Sequence, residues 1–238
     1  MKILAFDTTF KFCSVALMKN NKVFSLVNKG VSFQHSETII PLIEKILSQS
    51  RTRLQDINFL SVTHGPGMFT GVRVGLSVAK GFSISLGIPI VSFSTFESVI
   101  YGFLLKNQQN DSLKRFRNIL CVLSPSQKYS YYQFFKIYKS RKGFVPISKP
   151  GFGDIRYLNK ILADKGNIYP LCVIGNMNDI LRESLYYQAD QKVFNFYSTS
   201  IEPNANDLVQ LASVKKSLKR SSKIMPMYVK PHYADSSK

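Results

Sequence analysis

Residues 57–93 read INFLSVTHGPGMFTGVRVGLSVAKGFSISLGIPIVSF, and the fold class turns on this stretch. Ile57 to Thr63 is an apolar run rich in β-branched residues, which predicts a strand. His64 to Gly71 is a glycine-rich turn. Gly71 to Leu86 has apolar residues at helical spacing and is closed by Gly87 and Pro89, which predicts a helix. Ile90 to Phe93 returns to strand. The turn is one residue off the dinucleotide fingerprint and has no G-K-[ST], so it is not a Walker loop. Its backbone amides, leading into a helix N-terminus, could still hold an anion. Gly71, Gly75, Ala79 and Ser83 recur at i, i+4 as one stripe of small side chains, with Val74, Val78, Phe82 and Leu86 beside it. Such a stripe admits close approach of another helix. Alternatively, the helix packs only inside its own domain.

Upstream, Lys2 to Phe6 is a short apolar run ending at Asp7-Thr8-Thr9. Phe12 to Met18 and Val23 to Val27 alternate around an Asn20-Asn21 turn. Together they predict an antiparallel meander. From Ser36 to Ser48 the period becomes helical, with Ile39, Leu42, Ile43, Ile46 and Leu47 on one face. Ser32 or Ser36 could cap this helix, while Pro41 predicts a kink or a later start. The two helices could form a flat apolar surface suited to pairing with a like surface on another subunit. Asp7 directly after a strand, with hydroxyls in its turn, could hold a hydrated Mg²⁺ and a nucleotide's phosphate tail. A capped turn with a solvated acid reads equally well.

Downstream, Ser94-Thr95 caps a helix through Tyr101, and Lys106 to Arg117 is a polar connection. Ile119 to Leu123, Tyr129 to Tyr138 and Leu171 to Ile174 read as strands. Ile155 to Leu162, Ile180 to Tyr187 and Ala205 to Leu218 read as helices, Pro146 to Gly153 as loop, and Met225 to Ser237 as an extended tail. Hairpins followed by strand–helix alternation argue an α/β chain of two lobes.

The 238 residues carry a net charge of +18, of which +13 lies in residues 101–238. The clusters are Lys114-Arg115-Phe116-Arg117, Lys136 to Lys149 and Lys215 to Arg220. This field draws phosphate backbones and acidic surfaces. Lys outnumbers Arg 23 to 9, which favours solvated charge over planar recognition. Cys13, Cys121 and Cys172 lie far apart in apolar runs and read as buried reduced thiols of a cytoplasmic protein. His35, His64 and His232 stand alone; the residue four after His35 is Ile39, so no metal pair forms. No apolar stretch is long enough to span a membrane.

Several stretches resemble the bacterial TsaB (YeaZ) family: ILAFDTT at Ile3–Thr9, CSVAL at Cys13–Leu17, HSETIIPLIEKIL at His35–Leu47, and GPGMFTGVRVGLSVAKGFSISLGIPIV at Gly65–Val91. PNANDLVQLA at Pro203–Ala212 and PMYVK at Pro226–Lys230 are similar to the family's closing segments. The resemblance is dense over residues 1–98 and sparse from there to about residue 200. It implies a two-lobed actin-like, sugar-kinase-like (ribonuclease H-like) α/β fold. The expected lobes are 1–105 and a smaller basic 106–238, with the last helix and tail packing back on the first.

The resemblance also implies a role in making threonylcarbamoyladenosine at the adenosine 3′ to the anticodon of ANN-decoding tRNAs. In that family the chain is the non-catalytic partner of TsaD, which carries metal and active site, and the ATPase TsaE joins them. The first two helices bundle with TsaD, or with a second copy as a homodimer. Carried over, the interface residues are His35, Ile39, Leu42, Ile43, Ile46, Gly71, Val74, Gly75, Val78, Ala79 and Phe82. tRNA is met through the complex. No cofactor is required, and weak ADP or ATP binding between the lobes would use Asp7, Thr8 and Thr9. The chain departs from family habit at Leu123-Ser124-Pro125-Ser126-Gln127, where relatives often carry Asp-Ala-Arg and a Glu. The competing reading is an ATP-dependent transferase or glycopeptidase-like enzyme of the same fold.

Overall fold

A computed structural model describes residues 1–29, 34–113, 115–138, 143–164, 170–188, 194–196, 201–215 and 224–229. The chain divides into two compact units, Met1–Tyr101 with Pro203–Tyr228, and Gly102–Glu202 with the residues after Tyr228. The boundary expected at 105/106 therefore lies at 101/102, and the last helix belongs to the first unit.

In the first unit, β1 (Lys2–Asp7), β2 (Cys13–Lys19) and β3 (Lys22–Asn28) form the antiparallel meander. Its tight turn places Asn20 and Asn21 at φ 52° and 62°, the left-handed pair that a two-residue hairpin needs and Asn tolerates. β4 (Phe59–Thr63) and β5 (Ile90–Phe93) add in parallel beside β1, giving the order β3-β2-β1-β4-β5. α1 (His35–Gln49) and α2 (Phe69–Leu86) lie on one face of this sheet. α6 (Ala205–Val214) covers the other, with Leu208, Val209, Leu211 and Ala212 against Ile3, Ala5, Ala16 and Phe59. Asn204 caps α6, its side chain accepting from the Asp207 N–H at 2.9 Å.

α1 runs unbroken through Pro41, which sits on its exposed side, so the expected kink or late start is absent. Ser36 lies inside α1 and does not cap it; Gln34 holds the N-cap without a side-chain bond, and Ser32 lies outside the described residues. α2 ends at Gly87 in the left-handed conformation, φ 66°. α3 (Thr95–Lys106) opens with a reciprocal cap: the Glu97 carboxylate accepts from Ser94 N–H at 2.9 Å while Glu97 N–H donates to Ser94 Oγ at 3.1 Å.

The second unit repeats the plan. β6 (Asn118–Leu123), β7 (Tyr129–Ile137) and β8 (Phe144–Pro146) are antiparallel. β10 (Leu171–Asn176) and β11 (Phe194–Phe196) add in parallel, giving β11-β10-β6-β7-β8. With β9 (Gly151–Asp154) set aside, both paths read 3-2-1-4-5 in chain order. β9 also pairs with β7, so the stretch expected as loop at Pro146–Gly153 contains strand. α4 (Ile155–Asp164) and α5 (Asp179–Gln188) complete the unit, and Leu158, Leu162 and Leu181 pack on Leu120, Val122 and Val173. All three cysteines are free and buried, and burial, reinforced by the charge of Asp7, pushes the Cys13 thiol up to about 12.

Candidate partner-binding face

The Asp7 turn is part of the first unit's interior. Asp7 is 1% exposed; its carboxylate accepts from Thr9 N–H at 3.0 Å, Thr9 Oγ1 at 2.9 Å and Thr63 Oγ1 at 2.5 Å. Burial raises its pKa against the pull of these bonds. Thr8 Oγ1 donates to Gly71 O at 2.7 Å, and Met68 N–H donates to Thr9 O at 2.7 Å. A hydrated cation or phosphate tail here would have to displace the chain's own hydroxyls, so the turn does not fit a nucleotide-bound Mg²⁺. The neighbouring His35 is 5% exposed, with Nε2 unpartnered; burial holds its imidazole below the usual range, opposed by the Phe10 backbone and Asp7.

The small-residue stripe serves the same turn. A Cβ on Gly71 would run into Thr8 O, and one on Gly75 would lie 2.6 Å from Thr8 Oγ1. Ala79 is fully buried. These positions admit a strand-end turn of the same unit and do not face outward, which corrects the expectation that Gly71, Gly75 and Ala79 present a docking stripe. Ile39, Ile43 and Ile46 of α1 are likewise core residues at 1%, 2% and 0% exposure. Val72 and Leu76, not singled out in the sequence, are the large side chains α2 buries.

What remains outward is a narrower seam. Leu42, Val74, Val78 and Phe82 are half-buried, each packed on the core yet open on one side, and Ile40 of α1 is exposed. A groove of about 400 Å³ opens here, lined by Ser36 of α1 and by Phe69, Thr70, Arg73, Val74, Ser77 and Val78 of α2. Phe69 and Tyr228 are each 57% exposed at its end. Of the interface set inferred from sequence, only Leu42, Val74, Val78 and Phe82 are therefore open to a partner. Phe69 and Arg73 were missed because Phe69 fell in the turn expected before the helix; the i, i+4 spacing appears only once α2 is seen to start at Phe69, and Tyr228, 155 residues from Arg73, carried no local signal.

In the second unit the 124–128 loop is tied down by neutral groups. Ser124 and Ser130 hydroxyls are 2.7 Å apart, and Asn178 Nδ2 donates to Ser126 O and Gln127 O at 3.0 and 3.1 Å. Lys114, residues 139–142, the Lys216–Arg220 cluster and His232 lie outside the described residues. Among the described residues no three metal-ligating side chains gather, and no helix is long and apolar enough to cross a membrane.

The model of the family described as TsaD, tRNA N6-adenosine threonylcarbamoyltransferase, matches residues 26–139. The tRNA threonylcarbamoyladenosine biosynthesis protein TsaB of Buchnera aphidicola from Acyrthosiphon pisum is 39% identical over 109 residues, 46% of this chain and 49% of that protein. The match thus spans about half the length of that relative. TsaB of the Baizongia pistaciae strain is 27% identical over 238 aligned residues, 95% of this chain and 97% of that protein. YeaZ from Pseudomonas aeruginosa superposes with a TM-score of 0.73 over 96% of this chain and 99% of that one, at 17% identity. The chain is similar to the TsaB (YeaZ) family along almost its whole length. The YeaZ likeness spans both units, so the two sheets are those of the YeaZ α/β fold. The sequence block that matches the TsaD model covers α1, β4 and α2 and runs on through β7.

Proposed function

We propose that this chain serves threonylcarbamoyladenosine formation in tRNA as a non-catalytic subunit that docks a TsaD-type transferase through the open seam of α1 and α2. TsaE joins the assembly, and tRNA is held by the complex with help from the basic second half. Without the transferase, the same seam pairs two copies of the chain.

The seam carries this reading: apolar side chains at Leu42, Val74, Val78 and Phe82 are left partly uncovered on adjacent helices around a groove. The non-catalytic role is supported by residue chemistry. Position 39, where a TsaD-type site needs its second histidine, is an isoleucine in the core. Asp7 is buried and already accepts three hydrogen bonds from Thr9 and Thr63, and the 124–128 loop has neither acid nor glycine.

The test is reconstitution of tRNA modification from purified components. Omitting this chain should abolish turnover, the chain alone should show none, and Val78→Asp should lower both transferase affinity and turnover by at least tenfold while the thermal midpoint holds. Turnover by the isolated chain, lost in Asp7→Ala, would establish the transferase reading instead.

A further inference from the structure

The seam ends at a cation that no acidic side chain among the described residues pairs. Arg73 lies one turn after Phe69 on α2, and its guanidinium carbon is 3.5 Å from the Phe69 ring centroid. Its Nε–H donates to the Tyr228 hydroxyl at 2.9 Å, and the Tyr228 ring stands 5.7 Å from the guanidinium carbon and 5.7 Å from the Phe69 ring. Tyr228 is itself anchored. Ile224, four residues earlier, is buried in the core, and the preceding Met227 N–H donates to His64 O at 2.7 Å. The guanidinium is thus fixed against two rings and a hydroxyl before any partner arrives, so little side-chain entropy remains to be lost on binding. Both terminal nitrogens are left over, and no carboxylate among the described residues reaches them.

We infer that Arg73 is a preformed receptor for a carboxylate, an Asp or Glu carried on an amphipathic helix of the docking subunit, whose apolar side fills the adjoining groove. This rests on the docking function proposed above. One observation favours a protein carboxylate over a nucleic-acid phosphate. The groove beside the cation is walled by Val74, Val78 and Phe69, which a phosphate backbone would leave uncovered. The terminal nitrogens of a fixed guanidinium match two oxygens in one plane, a geometry that carboxylate and phosphate share. Tyr228 is then a positioning residue, acting on the partner only through Arg73.

The experiment is titration calorimetry of the full chain against the TsaD-type transferase of the same organism, at low and high NaCl, and separately against tRNA. Val78→Asp reports the seam; Arg73→Gln, Arg73→Lys and Tyr228→Phe report the receptor. Expected are loss of binding in V78D and a tenfold or greater loss in R73Q with a flatter salt dependence. R73K, which keeps charge and stacking but not the fork, should also be weakened, and Y228F should fall between it and wild type. If V78D abolishes binding while R73Q matches wild type at both salt levels, the carboxylate receptor is wrong and the docking function stands. Should V78D bind normally, the docking function falls and this inference with it. If R73Q loses tRNA affinity and keeps transferase affinity, the cation reads phosphate and the inference is overturned. R73K also serves where R73Q lowers the thermal midpoint.

Discussion

Gly71 and Gly75 are where one missing methyl group decides packing. Each lies against Thr8, so adding a Cβ forces the Asp7 turn and α2 apart. Gly71→Ala and Gly75→Ala should each cost about 1–3 kcal/mol in urea unfolding, as overpacked core sites do. Gly81, on the same helix with nothing within 4 Å of an added Cβ, is the control. Gly81→Ala should stabilise by about 0.5–1 kcal/mol through helix propensity. The i, i+4 spacing of small residues was legible; what fills the space beside them was not, because period records a face and not its neighbour.

The two described histidines give stability a pH slope. Burial holds both His35 and His64 below the ordinary imidazole range, with Asp7 facing the first and Glu97 the second and partly offsetting the shift. A lowered folded pKa means that the unfolded chain takes up the proton first. Their contribution is therefore intact above about pH 6.5 and lost as pH falls below it. Asp7, with its pKa raised, acts in the opposite sense at lower pH, because the folded chain then binds the proton first. The thermal midpoint should fall between pH 7.5 and 5.5, and the fall should shrink in a His35→Gln/His64→Gln double variant. An equal fall in that variant would show that other groups set the slope.

Among elements, those whose ends carry local chemistry were legible: the Asn20-Asn21 hairpin, α2 with its Gly87 cap, and α3 with its Ser94 box. β8 and β9 were not, since short strands around Pro146 and Gly151 look like turn and owe their pairing to β7. α2 shows the harder case. Its rows 74/78/82 and 72/76 are both apolar, and only the sheet beneath decides that Val72 and Leu76 face the core while Val74 and Val78 stay half open. The open apolar seam is consequently narrower than spacing alone suggests. Substitutions there separate by face: Val78→Asp should act on partner binding, whereas Ile43→Ala should unfold the unit by about 2–5 kcal/mol, as buried Ile deletions do.

For the whole molecule, chain order and spatial order part company at residue 203. The first hundred residues hold all five strands of the first sheet and, in α1 and α2, the helices of one face; Tyr101 of α3 touches the other face, and much of that face is closed by α6. Sequence reading sees a composition break near residue 105 and cannot see that a helix a hundred residues later fills the layer. A fragment of residues 1–105 leaves Ile3, Ala5, Ala16, Met18 and Phe59 without α6, and a sheet with an open apolar face does not hold a fixed core. That fragment should be aggregated or should bind a hydrophobic dye and unfold without a cooperative transition. Joining residues 203–229 to it through a flexible linker should restore a single sharp transition, because the linker replaces the second unit only as a tether. A cooperative, dye-silent 1–105 fragment would mean that α6 decorates the first unit and does not complete it.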